Sequence, residues 1–309
     1  MATITAVATG NWSAGATWDS NPTLPSAGDT VDCAAYTVTI DQDVTVTQIK
    51  STSTGYFSVT AARTITAAIL SATGHSGGAV VRCTHSTGTV AFIGTVTGGP
   101  NVGISIGAAG TVTVTGDVTG GSGANAHGIL NSSTGPLNVT GNFTGGSTAT
   151  AHGMRNSSTA TCTFTGNATG ASGYGLYNAS TGTMSLSGTA TGGSVGYGAG
   201  NNSTGVLTVG RAKGGTAPGV NAANSGGPVL VYEIEYGTNG LSPTAGYVKL
   251  ISSLTRNVAI FKDSAGGADI ALSNDYPTNA QVESGVVFHL GTQTGSYAGG
   301  GSTVIVIED

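Results

Sequence analysis

The sequence predicts an all-β fold: a single-stranded parallel β-helix, expected to be right-handed, with an N-terminal cap and a C-terminal β-rich module. Three observations predict it. A Ser-Thr-Gly-like tripeptide returns every 22–25 residues, the residues between returns alternate apolar and polar, and length variation is confined to one place in the repeat. A fixed period of this size is the signature of a stacked solenoid, in which a single unit cannot bury its apolar side alone.

The tripeptide ends at Gly88, Gly110, Gly135, Ala160, Gly182, Gly205 and Gly227. A second glycine-rich marker follows, ending at Gly99, Gly121, Gly146, Ala171, Gly193 and Gly215. Four coils share a further register: His127, His152, Tyr174 and Tyr197 each precede a glycine and stand four residues before Asn131, Asn156, Asn178 and Asn201. Insertions fall only between the glycine pair and the His or Tyr, as they must if every other corner is to stay in line with its neighbours.

Between the markers, TVTVTGDVTGG and PLNVTGNFTGG have the period-two pattern of strands. Four inward ladders follow. One runs Val90, Val112, Leu137, Cys162, Met184, Leu207, and a second Phe92, Val114, Val139, Phe164, Leu186, Val209. A third runs Val96, Val118, Phe143, Ala168, Ala190, Ala212, and a fourth Ile104, Ile129, Met154, Leu176, Ala199. Outward positions are mostly Thr and Ser, which suit an exposed pleated surface. Residues 38–75 alternate in the same way, so the solenoid is expected over 38–227 as about eight coils. Residues 1–37, with Trp12, Trp18, Pro22 and Pro25, read as a cap over the open strand edges. From 228 the repeat fades and charges return, so 228–309 read as a separate β-rich module with a hairpin around Gly266–Gly267.

Composition limits the function. Only 7% of residues are charged while 38% are hydrophobic, which opposes disorder despite 53 Gly. Nine Lys and Arg against a net charge of −5 make no phosphate-reading surface, so no nucleic-acid partner is expected. No apolar run approaches the ~20 residues of a membrane helix, and the opening MATITAVATGNWS has no basic or apolar leader pattern. Cys33, Cys83 and Cys162 fit neither a disulfide framework nor a zinc pattern.

The candidate site residues divide by column. Asn131, Asn156, Asn178 and Asn201 read as a structural ladder, with stacked amides bonding along the axis. His127, His152, Tyr174 and Tyr197 allow three readings: a ring stack at the surface, a glycan-contact strip, or a metal site. The acid pairs Asp41/Asp43 and Glu233/Glu235 each place two carboxylates on one strand face, too few to argue for calcium. Glycoside hydrolysis normally needs two carboxylates, and none occurs from Val118 to Tyr232. No catalytic residue, cofactor or metal is therefore assigned, and the protein is expected to be non-enzymatic.

Two segments carry a resemblance. GNWSAGATWDSNPTLPSAGDTVDCAAYTVTID resembles the opening of β-helical proteins of phages and bacterial surfaces, and DYPTNAQVESGVVFHLGTQTGSYAG resembles the close of phage virion proteins with STG…TGGS coils. The resemblance implies a virion component assembled in the host cytoplasm, as a homotrimer against another virion protein such as the major capsid protein. A capsid decoration or head fibre on the particle surface is the expectation. A tail fibre contacting host glycan, and a bacterial surface or filament protein, are the alternatives.

Overall fold

The protein, seen in a computed structural model, is a parallel β-solenoid of about nine turns with almost no helix. The structure describes residues 2–107 and 109–213 in full, and beyond them the backbone of strands between Val220 and Glu308. A typical coil contributes three strands, for example Thr111–Thr115, Val118–Thr119 and Ile129–Asn131. The first two belong to one large sheet and the third to a second, and strands of successive coils pair in parallel.

All four apolar ladders are in register and buried. Val112 stands beside Leu137, Leu137 beside Cys162, and Cys162 beside Met184. Val139 is 2% exposed while Thr140, one residue on, is exposed, which fixes the strand phase. The third ladder extends backwards through Leu70, Ile49 and Val31 to Ile4, so one column runs beside every turn from the N-terminus.

That column corrects both predicted boundaries. Thr3–Thr5 pairs with Thr30–Asp32, and Gly10–Asn11 pairs with the strand Thr37–Thr39, so the solenoid begins inside the segment read as a cap. Trp12 and Trp18 are both 1% exposed and pack edge to face at 5.1 Å, with the Trp18 indole N–H donating to the Trp12 carbonyl at 2.9 Å. They close the end of the core from within the first turn. At the other end, Val229–Glu235 pairs with Leu207–Lys213 and Val248–Leu250 pairs with Val229–Val231, so solenoid pairing continues past residue 228. The backbone register sets Glu233 beside Arg211 and Glu235 beside Lys213. A separate mixed sheet of four strands, Val258–Phe261, Val287–Leu290, Gln293–Tyr297 and Ile305–Glu308, forms the C-terminal module. The hairpin expected around Gly266–Gly267 lies outside the described residues.

Between the first and second strands of a coil the chain bends at a glycine. Gly116, Gly141 and Gly166 have φ of 144°, 153° and 137°, which disfavours L side chains. A Cβ on Gly141 would lie 2.1 Å from the carbonyl oxygen of Gly116 one turn below. The corner therefore needs glycine for both conformation and space.

Candidate functional site

Polar side chains in this solenoid fall into columns, because a residue at one register position meets the same position one turn away. The second sheet carries the most ordered column. Its inward third position is Val59, Cys83 and Ile106 in early turns, then Asn131, Asn156, Asn178 and Asn201. All four Asn are buried. The Asn131 amide donates to the Asn156 side-chain oxygen at 3.1 Å, Asn156 to Asn178 at 3.2 Å, and Asn178 to Asn201 at 3.1 Å. The remaining capacity serves the following turn: Asn178 and Asn201 donate to the carbonyls of Gly182 and Gly205, and the Asn131 oxygen accepts the Ser133 N–H. A buried amide is tolerated when its donors and acceptors are matched in this way.

The His/Tyr column is corrected for its first two members. It is not an exposed strip: His127 and His152 are 1% and 4% exposed, and only Tyr174 and Tyr197 are half-buried. The two imidazoles stack at 5.1 Å, and His152 is covered by Tyr174 at 5.2 Å and Tyr177 at 4.7 Å. Burial has a hydrogen-bonding reason. Nδ1 of His127 accepts the His152 backbone N–H, and Nδ1 of His152 accepts the Tyr174 N–H, each at 3.1 Å. Each ring thus completes the backbone of the turn above it and must be unprotonated at Nδ1 to do so. Burial pushes the His127 pKa down to about 4, helped by the Arg155 charge. Burial, His127 and Arg155 together push His152 down to about 3. Tyr174 and Tyr197 continue the column by ring stacking at 5.1 Å.

The carboxylates are also committed. All six described Asp accept a backbone N–H: Asp19 from Thr5, Asp29 from Ala2 and Ser26, and Asp32 from Ala34 and Thr52. Asp41 accepts from Ser13, Asp43 from Thr64 and Asp117 from Asn142. Asp41 and Asp43 therefore tie to different turns instead of converging on one ion. The N–H and hydroxyl of Ser26 hold Asp29 below the usual carboxylate range. For Asp41 the opposing push of burial is outweighed by the hydroxyl and N–H of Ser13. Among the described residues, no group of three His, Cys, Asp or Glu side chains is placed to hold a metal ion. The buried thiols of Cys33 and Cys162 are pushed up to about 12, mainly by desolvation, and such thiols are poor nucleophiles.

A third column escaped sequence reasoning. At the glycine corner, Asp117 accepts the N–H and amide of Asn142, Asn142 accepts those of Asn167, and Asn167 accepts the Thr189 N–H. The signal was present as Gly-Asp or Gly-Asn at 116/117, 141/142 and 166/167. Outside the barrel wall, the half-buried rings of Tyr174 and Tyr177 stack at 4.8 Å, and the Asn202 amide donates to the Tyr177 hydroxyl at 2.9 Å. No helix among the described residues is long and apolar enough to cross a membrane. Compared with protein families, curated proteins and solved structures, the chain matches none of them.

Proposed function

We propose that the chain is a non-enzymatic structural protein of a bacteriophage particle, a capsid decoration or head-fibre protein on the exterior, assembled as a homotrimer against the major capsid protein. One observation carries the non-enzymatic part. The described carboxylates fasten backbone turns and the buried Asn and His complete hydrogen bonds between turns, so these polar groups serve to hold the rod together. The particle assignment rests on the resemblance of the C-terminal segment to phage virion proteins and of the N-terminal segment to β-helical proteins of phages and bacterial surfaces. A surface of Thr and Ser with few charges suits passive exposure, and a continuous core with tightly bonded corners suits resistance to proteolysis.

The test is immunogold labelling of intact virions with antibody raised against the purified protein. Label over the head supports the reading, and absence of label from the whole particle overturns it. Label confined to the tail tip would favour a second reading, a tail fibre that contacts host glycan. The observation behind that reading is the group of half-buried rings Tyr174, Tyr177 and Tyr197, which presents aromatic surface next to solvent.

A further inference from the structure

The outward face of the second sheet differs from the rest of the solenoid. Its central column, read turn by turn, is Ser58, Arg82, Ser105, Leu130, Arg155 and Tyr177. Two of the six described Lys and Arg stand there, and none of the six described Asp does. Each guanidinium is set by an aromatic ring: Arg82 lies 3.7 Å over the Tyr56 ring and Arg155 lies 6.0 Å from the Tyr177 ring centre. Neither is ion-paired with a described carboxylate, since all six Asp serve other turns.

From this juxtaposition we infer that the outer face of the second sheet binds an acidic oligosaccharide, with its carboxylates held at Arg82 and Arg155. Stacking on the Tyr56 ring uses the flat face of the Arg82 guanidinium and leaves its in-plane N–H fork, the edge that matches a carboxylate in a bidentate pair. Beside Arg82 lies an open groove of about 350 Å³, whose lining includes Ala79, Val102, Leu130 and Ser105. The half-buried Leu130 side chain there meets the C–H face of a sugar ring, and the Ser105 hydroxyl meets its hydroxyls. Three register steps separate the two guanidiniums, ~14 Å at the spacing of neighbouring strands. A chain lying along the solenoid axis therefore presents spaced single charges to spaced single cations. Two cations at that separation do not make the dense positive field that a polyphosphate needs. A neutral glycan would cover both guanidiniums without compensating their lost hydration. This site adjoins the His/Tyr column, because the Tyr177 ring beside Arg155 also covers His152 at 4.7 Å, and it does not depend on where on a particle the protein resides.

Isothermal titration calorimetry of the purified full chain tests it, with hexagalacturonate as the probe and maltohexaose and tripolyphosphate as comparisons. The expected result is saturable binding of hexagalacturonate that weakens with added salt. Arg82→Ala and Arg155→Ala should each weaken it about tenfold, as loss of one charge-assisted pair implies. Arg155→Lys, which keeps the charge and the packing stem but loses the fork, should weaken it less than Arg155→Ala. Arg63→Ala, on the other sheet, should leave it unchanged, and circular dichroism of each variant confirms folding. Absence of binding at millimolar hexagalacturonate overturns the inference. So does equal binding of maltohexaose or tripolyphosphate, or undiminished binding by a folded Arg82→Ala, Arg155→Ala double variant. Virion labelling can fail without changing any of these outcomes.

Discussion

Asn156 sits in the middle of the amide ladder, and replacing it with Ala tests whether that ladder holds the turns together. Its amide donates to Asn178 at 3.2 Å and to the Ser158 carbonyl at 3.0 Å. Its oxygen accepts from Asn131 at 3.1 Å and from the Ser158 hydroxyl at 3.0 Å. Alanine removes all four, together with the longer bond that the Ser158 N–H donates to the same oxygen at 3.4 Å. The Asn178 oxygen then loses its Asn156 donor, and the Asn131 amide keeps only long contacts to Ser158 Oγ at 3.4 Å and Cys162 Sγ at 3.6 Å. At ~1–3 kcal/mol for each buried group left without a partner, the loss is about 4 kcal/mol. Asn201→Ala is the control. There the Asn178 amide keeps the Gly182 carbonyl at 2.9 Å and the Ser203 hydroxyl keeps the Ser180 carbonyl, so the cost falls to about 2 kcal/mol. Urea denaturation followed by circular dichroism gives the two midpoints. Hydrogen exchange at the Ser158 and Ala160 amides shows whether the loss is local, as expected when each turn contacts only its neighbours. An Asn201→Ala cost equal to or above that of Asn156→Ala would refute the ladder as a cooperative element.

Val139→Asp should cost several kcal/mol, because it puts a charge into apolar surroundings at a 2% exposed site, whereas Thr140→Asp should be nearly neutral; thermal unfolding of the two variants checks the strand phase. Stability should also fall with acid. Because His127 and His152 have folded pKa values near 4 and 3, against 6.5 for a free ring, the unfolded chain takes up protons first. Stability is then full above about pH 6.5 and declines as pH drops toward 4, a range in which free carboxylates are still largely ionised. His127→Asn, whose side-chain oxygen can replace Nδ1 as acceptor, should flatten the slope, and thermal midpoints measured from pH 7 to pH 4 would show it. Purified protein should release no oligosaccharide from host capsule or lipopolysaccharide; release abolished by a point substitution in the solenoid would contradict the non-enzymatic reading.

The sequence made the core legible because period-two alternation and a 22–25 residue return together determine which side chains meet. Leu137, Cys162 and Met184 could be placed in one column without coordinates, and they are neighbours there. The boundaries were less legible. Strand pairing is a property of the backbone, so Thr3–Thr5 and Val229–Glu235 join the sheets although their side chains no longer follow the repeat. Burial at corners was hidden for another reason. A corner residue has no alternation to report which way it faces, and His152 is covered by Tyr177, a residue 25 positions later whose outward strand position gave no hint of this contact. The fastening role of the Asp residues escaped because the donors they accept from are backbone N–H groups, which carry no residue signature.

The Asn ladder has a direction. In each step the amide of the earlier turn donates to the oxygen of the later one, from Asn131 through Asn156 and Asn178 to Asn201. Four side-chain dipoles are therefore aligned head to tail along the axis and buried where water does not screen them, and aligned amide dipoles add. The ladder is electrically polar: its amide hydrogens point away from the N-terminal turns that Trp12 and Trp18 close and toward Asn201. The C-terminal end of the ladder is thus the partially positive one, and it faces the turns in which Glu233 and Glu235 take their places beside Arg211 and Lys213.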